Sequence, residues 1–212
     1  MNKRRIIRRL LLRDVDTVVL YKMLNTLPEP LSIQPKLIEG HPVIIVRVTP
    51  DMIQQCFLHG ESVHMSRRLL KLGELFKSKP EWRTSGFLGQ LACCLYFYGD
   101  LRNFYQNLNV GHGDSGDLDI GNFKCDVKTR SMLYSGVNYI FIPEWQLENT
   151  PYPLYIGCSR TEENIIIWGY AWYREVLEWH KSNSNYQLDV TELHSIIQLK
   201  EGFKRALEHA KV

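Results

Sequence analysis

Long apolar runs and a strong charge of one sign are both missing from this chain of 212 residues. No run reaches about 18 apolar residues, the length that indicates a membrane-crossing helix. We therefore expect neither a membrane span nor a membrane partner. The 26 Lys and Arg nearly balance the 23 Asp and Glu, which leaves a formal net charge of +3. This excludes a bulk polyanion binder, and any nucleic-acid contact has to come from a local basic patch.

Disulfide and zinc signatures are missing as well. The five cysteines form no C-x-x-C pair, and two of them are adjacent inside an apolar run; they are Cys56, Cys93, Cys94, Cys125 and Cys158. They predict small buried residues of a reducing compartment, so we expect a cytoplasmic, intracellular protein. The seven histidines are scattered without metal spacing, and no P-loop or G-x-S-x-G motif supports another phosphate-handling or hydrolytic chemistry.

The first part of the chain, residues 1–65, is predicted to be an extension of a core that spans residues 66–212. Apolar residues recur at helical spacing over 6–26, and four arginines form a basic face beside them: Arg4, Arg5, Arg8 and Arg9. Four prolines at 28–42 favour an extended connection, and Val43–Val48 predicts a strand. The basic face is either a DNA-binding or dimerisation element or an ordinary solvated helix face.

The core contains segments with the apolar periodicity of helices and segments with the apolar periodicity of strands. Helices are predicted at 66–76, from Ser85 to Gly99, at 172–180, and, after a polar linker at 182–185, from a capping box of Asp189 and Glu192. Strands are predicted at 117–120, 123–130, 139–142, 154–158 and 165–170. The order of these elements, with helices before and after a run of strands, predicts an α/β or α+β domain in which helices flank a mixed sheet.

The segment most informative about chemistry is GDSGDLDIGNFKCDVKTR, at 113–130. Gly121-Asn122 stands between two alternating segments and predicts a two-residue β-hairpin turn. Pairing across that turn places Asp117 opposite Asp126 and Asp119 opposite Lys124, and paired residues share a face. The polar face therefore carries Asp117, Asp119, Lys124, Asp126, Lys128 and Arg130, whereas the other face is apolar and predicts core.

Opposed carboxylates are the unusual feature of that polar face. Asp117 and Asp126 repel each other across the hairpin, and a divalent cation removes the repulsion. Magnesium prefers oxygen ligands, typically one or two carboxylates with waters and phosphate oxygens. Lys128, two residues from Asp126 on the same face, can contact a metal-bound water or a scissile phosphate. A strand of alternating charges is also what a solvated sheet face looks like, so the residues alone leave both interpretations open.

The same stretch resembles the PD-(D/E)xK nuclease superfamily. Asp126-Val127-Lys128 matches its (D/E)-x-K element, and Gly116-Asp117-Leu118-Asp119 resembles the G-x-x-D form of its first acidic element. Upstream, GFLGQLA at 86–92 is similar to a first helix that often reads G-x-x-G-E-x-A, and IIWGY at 166–170 is similar to a late core strand. The resemblance covers about residues 83–180, and it departs at Gln90, where the family often has Glu.

The resemblance implies a restriction-endonuclease-like core and a Mg²⁺-dependent deoxyribonuclease in which Mn²⁺ can substitute. It implies that Asp119 and Asp126, with the Val127 carbonyl, hold the ion, that Lys128 orients the attacking water, and that Gln90 lies at the site. Asp117 stays open as an alternative ligand, because the hairpin pairing alone would choose it.

DNA is the partner that this interpretation predicts. Arg130 and the arginines of the N-terminal extension are candidate DNA contacts, and a homodimer is expected because cutting both strands commonly uses two active sites. The alternative function is a nuclease-derived DNA-binding or assembly module without catalysis, for which the Gln90 departure leaves room.

Overall fold

The computed structural model describes residues 32–54, 56–58, 60, 80–99, 117–132 and 139–209. The chain divides into two compact units, Met1–Leu31 and Ser32–Val212, and every described residue belongs to the second. The predicted N-terminal helix with its four arginines and the predicted helix at 66–76 lie outside the described residues. None of the described helices is both long enough and apolar enough to cross a bilayer.

A mixed central sheet organises the second unit. Its strands lie in the order β1 (Ile33–Ile38), β2 (His41–Arg47), β7 (Asn164–Trp172), β6 (Leu154–Arg160), β4 (Phe123–Ser131) and β3 (Leu118–Ile120), with a short β10 (His194–Ser195) beside β7. Strands β4 and β6 are parallel, and the other neighbours are antiparallel. The predicted α/β class with a mixed sheet is therefore confirmed.

The start of this unit differs from the division that the sequence suggested after residue 65. The β-branched segment predicted at 43–48 is β2, which pairs with β7 over Ile44–Arg47. Because β1 pairs along its whole length with β2, both strands belong to the central sheet, and the compact unit begins at Ser32.

A second, smaller sheet contains β5 (Tyr139–Pro143), β9 (Asn185–Asp189) and β8 (His180–Ser182), in that order. The polar stretch interpreted as a linker is the turn that joins β8 to β9. Asn183 and Ser184 both have positive φ, 50° and 59°, as the two central residues of a tight hairpin turn require.

Helices accompany the strands, and those whose bounds are defined are α1 (Pro80–Tyr98), α2 (Glu144–Asn149), α3 (Tyr173–Val176) and α4 (Ile196–His209). Residues 50–54, 56–58 and 60 are also helical. Helix α1 begins at Pro80 rather than at Ser85. The Ser85 hydroxyl donates to the Glu81 carbonyl within the helix, 2.8 Å away, so it does not act as an N-cap. Proline suits the first turn because it has no N–H to leave unsatisfied.

Two predicted helix bounds near the C-terminus were wrong. The helix expected at 172–180 ends at Val176, because the chain turns into β8, which pairs with β9 from His180 onward. Asp189 does cap a helical turn, with its Oδ1 accepting from the Thr191 N–H at 2.9 Å. That turn is a 3-10 helix of three residues, and α4 begins only at Ile196.

The core lies on both faces of the central sheet. Trp168 and Tyr155 are its largest fully buried side chains, and the neighbouring cluster includes Ile140, Val176 and Leu193. All five cysteines are buried and none forms a disulfide, as their pattern predicts. Asp126 is one of the few buried charged residues, and it belongs to the candidate site.

Candidate metal centre

Strands β3 and β4 form the hairpin that the sequence predicts. Ile120 pairs with Phe123, Asp119 with Lys124, and Leu118 with Cys125. Gly121 has a φ of 62°, a conformation that glycine adopts without the steric penalty of a side chain. The predicted register is confirmed for these three pairs. The pairing predicted between Asp117 and Asp126 is not formed, because Asp117 precedes β3 and its N–H donates to the Cys125 carbonyl at 2.9 Å.

Asp126 is held by two side chains, one from its own strand and one from α2. Its Oδ2 lies 2.7 Å from Lys128 Nζ and accepts from Gln146 Nε2 at 3.1 Å. Lys128 Nζ in turn donates to Gln146 Oε1 at 2.7 Å. The three side chains therefore form a closed triangle of hydrogen bonds, in which Asp126 and Gln146 are buried. We call this the Asp126–Lys128–Gln146 triangle.

Gln146 was not singled out from the sequence. It lies in a helix of only six residues between β5 and β6, and a glutamine in such a segment looks like any surface residue. Only the packing of α2 beside β4 gives it two charged partners.

Asp117 lies just before β3 and links that strand to both α1 and β4. Its Oδ1 accepts from Gln90 Nε2 at 2.6 Å, and its Oδ2 accepts from the Val127 N–H at 2.8 Å. The N–H and C=O of one strand residue point to the same neighbour, so the Val127 carbonyl also points to the side where Asp117 lies. Asp117, Gln90 and Val127 are thus brought together at this edge.

Asp119 occupies a different position. It is exposed and pairs with Lys124 near the turn of the hairpin, two residues farther along β3 than Asp117. Burial raises the pKa of the Cys125 thiol to about 12, and the charges of Asp119, Asp117 and Asp126 add to the rise. All three carboxylates therefore lie within electrostatic reach of one buried residue.

Gly89 explains how α1 brings Gln90 to Asp117. A Cβ atom at Gly89 would lie 1.8 Å from Thr129 Oγ1, so one of the two residues would have to move, and 3.0 Å from Thr129 Cβ, which is a tight contact. Helix α1 consequently packs directly on β4, and the next residue, Gln90, reaches the carboxylate of Asp117. The glycine of the GFLGQLA segment thus has a physical role in the site.

Replacing Gly89 with alanine should separate α1 from β4 and lower the free energy of unfolding by about 1–3 kcal/mol, the range for overpacking. The matched control is Gly86→Ala on the same helix, where a Cβ would meet nothing within 4 Å and helix propensity favours alanine by about 1 kcal/mol. Urea unfolding of both variants checks this. Equal stability of the two variants would contradict the close approach of α1 to β4.

The oxygen donors at this edge suit a hard divalent cation. Asp117 and Asp126 both contribute carboxylate oxygens, and magnesium sites in proteins use one or two carboxylates with waters and substrate oxygens. In the stretches of chain that the structure describes, no three His, Cys, Asp or Glu side chains converge as metal ligands.

Gln146 should stabilise the folded state through the charges that it contacts. In Gln146→Leu the buried Asp126 carboxylate loses a donor and Lys128 loses an acceptor, so we expect a loss of roughly 1–3 kcal/mol, typical of a buried group left without its partner. Thermal unfolding is the measurement, with Glu148→Gln, an exposed position on the same helix, as the control. A stable Gln146→Leu variant would show that the triangle is unimportant for folding.

Arg130 follows Lys128 on the same face of β4. Its Nη1 donates to the Tyr139 carbonyl at 3.3 Å, and its guanidinium carbon lies 4.8 Å from the centre of the Phe141 ring. It is therefore fixed beside β5, on the Lys128 side of the strand.

The site thus contains two carboxylates, a lysine, two amide side chains and a main-chain carbonyl at one edge of a mixed sheet. No protein-family model, no curated protein and no solved structure gives a significant match to this chain. The resemblance to the PD-(D/E)xK superfamily consequently depends on the residues of the chain itself.

Proposed function

We propose that this chain is a Mg²⁺-dependent DNA endonuclease with a restriction-endonuclease-like core, which hydrolyses phosphodiester bonds. The observation that supports it best is the Asp126–Lys128–Gln146 triangle beside Asp117. A buried carboxylate and a lysine lie two residues apart on one strand, and a second carboxylate lies just before the paired strand. Such carboxylates can hold the ion that metal-assisted phosphodiester hydrolysis requires.

Asp117, Asp126 and the Val127 carbonyl would hold the ion, with waters and a phosphate oxygen as the other ligands. Mn²⁺, which also suits carboxylate and carbonyl ligands, should substitute for Mg²⁺. When bound, such an ion polarises the scissile phosphate and lowers the pKa of a coordinated water. Asp119, the ligand that the family pattern favours, remains the alternative to Asp117, and its exposed position near the hairpin turn makes it the weaker candidate.

Each remaining side chain has a role that follows from its contacts. Lys128 Nζ is fixed by Asp126 and Gln146, so it presents a preorganised positive charge for the negative charge that develops on the phosphate. Gln90 donates to Asp117 and so orients its carboxylate. Gln146 bridges Asp126 and Lys128 and holds both in place, which makes it a positioning residue.

DNA is the proposed substrate, and Arg130 extends the positive face of β4 beyond Lys128. Arg4, Arg5, Arg8 and Arg9 remain predicted DNA contacts, and a homodimer remains the predicted assembly.

A test of these arginines is the salt dependence of DNA binding. This dependence should become shallower when residues 1–13 are deleted, because fewer counterions are released from the DNA.

A second function has support from the same triangle. Asp126 and Lys128 neutralise each other directly, so the fold does not need an ion to satisfy the buried carboxylate. A DNA-binding or assembly module that descends from a nuclease would keep this ion pair without catalysing anything.

Binding and cleavage measured in parallel distinguish the two functions. Supercoiled plasmid is incubated with the protein in Mg²⁺ or in EDTA and examined for nicked circles, while binding to the same DNA is measured in Ca²⁺. An endonuclease binds in Ca²⁺ and nicks only in Mg²⁺. Binding without nicking in Mg²⁺ or Mn²⁺ would refute the endonuclease and support the binding module.

A further inference from the structure

A groove runs along the last residues of β4, directly beside Lys128. It has a volume of ≈ 490 Å³ and is lined by Trp82 and Ser85 of α1, the β4 residues 128–131, and Ile140 and Phe141 of β5. Pockets of about 300–1,000 Å³ are the size that small organic groups occupy. We call this the β4 groove, and no step of the proposed hydrolysis uses it.

The walls of the β4 groove carry two exposed aromatic rings and two cations. Trp82 is 57% exposed and Phe141 is 37% exposed, although both are large and apolar. Lys128 lies at one end, and the Arg130 guanidinium packs against the Phe141 ring. Two exposed aromatic rings beside two cations suit a ligand that carries both a flat ring and a phosphate.

Strand β3 does not extend along this part of β4. It pairs with Phe123–Cys125, and Asp117, which precedes it, reaches as far as the Val127 N–H.

We propose that the β4 groove holds an unstacked nucleobase of the DNA strand whose phosphate lies at Lys128. The identification of that strand as the DNA substrate rests on the proposed function. Bases inside a duplex are stacked on one another and cannot place a face against Trp82 or Phe141, so the substrate at this site is single-stranded or locally unpaired. Aromatic rings interleaved with Arg and Lys are the means by which proteins hold single strands without reading their sequence.

The test compares the binding of an oligonucleotide that carries bases with the binding of one that has none. Binding of an oligothymidylate and of an abasic oligonucleotide of equal length is measured by fluorescence anisotropy in EDTA, so that no cleavage occurs. Phe141→Ala and Trp82→Ala are each expected to weaken oligothymidylate binding roughly tenfold, as loss of one stacking contact does, and to leave abasic binding unchanged. Leu37→Ala is the control, because Leu37 is 69% exposed on β1 at the opposite edge of the sheet.

Three results would overturn the inference: no binding of the oligothymidylate by the wild-type protein, equal weakening for both oligonucleotides, or no effect of either variant. Circular dichroism and thermal unfolding show whether the variants are folded, and the two substitutions are judged separately. A base-dependent effect without plasmid nicking would support base binding in the β4 groove and refute the endonuclease activity. Nicking without a base-dependent effect would support the endonuclease activity and refute base binding in the groove.

Discussion

Replacing Lys128 with alanine is expected to reduce the rate of Mg²⁺-dependent DNA cleavage by about 10²–10³-fold, the effect of removing one preorganised group that stabilises developing charge. Lys128 Nζ is held at 2.7 Å by both Asp126 and Gln146, so its charge is already in place before substrate arrives. Single-turnover cleavage of a labelled DNA is the measurement, because it reports the chemical step without product release.

The control for Lys128 is another lysine on the same strand. Lys124 is exposed and pairs with Asp119, so Lys124→Ala should leave the cleavage rate within a few-fold of wild type.

The sequence alone predicts nearly intact folding for Lys128→Ala. Because the buried Asp126 loses a partner, the structure instead indicates a stability loss of roughly 1–3 kcal/mol. Lys128→Gln, which can still donate to Asp126, separates that loss from the loss of charge. Wild-type cleavage by a folded Lys128→Gln variant would remove Lys128 from the mechanism.

Asp117→Asn is expected to abolish Mg²⁺-dependent cleavage, whereas Asp119→Asn should retain most of it. Asp117 contacts Gln90 and the Val127 N–H, which places its carboxylate beside the main chain of the D-x-K segment. Asparagine keeps the size of the side chain and removes the charge that a divalent cation needs. The cleavage rate at several Mg²⁺ concentrations is the measurement, since a lost ligand also raises the concentration required.

The two substitutions are controls for each other, since each removes one negative charge and the two positions are only two residues apart. The family pattern predicts the reverse outcome, with Asp119 as the essential ligand. An inactive Asp119→Asn variant beside an active Asp117→Asn variant would support that pattern and contradict the assignment of Asp117.

The hairpin was predictable because its determinants are local. Gly121-Asn122 supplies the turn, and the alternation on either side of it fixes the register, so the pairing of Asp119 with Lys124 follows from the sequence alone. The mixed sheet followed from the order of strand and helix patterns. The five buried cysteines followed from their apolar surroundings and from the lack of any paired spacing.

The arrangement of the site was less predictable because it depends on contacts between distant segments. Gln146 reaches Asp126 only because α2 packs beside β4, and no spacing in the sequence connects the two residues. The distinction between Asp117 and Asp119 depends on α1, whose approach at Gly89 brings Gln90 to one aspartate and not to the other. Strand β8 was interpreted as part of a helix and a linker, because its three residues acquire their conformation from pairing with β9.

The central claim is that Asp126 helps to hold a catalytic divalent cation. The most direct test is plasmid nicking by wild-type protein and by Asp126→Asn in Mg²⁺, with EDTA samples of each. We expect nicking by the wild-type protein in Mg²⁺ only, and none by the Asp126→Asn variant, with its fold verified by circular dichroism. Nicking that persists in EDTA, or that a folded Asp126→Asn variant carries out at the wild-type rate, would contradict a metal-dependent site at this position.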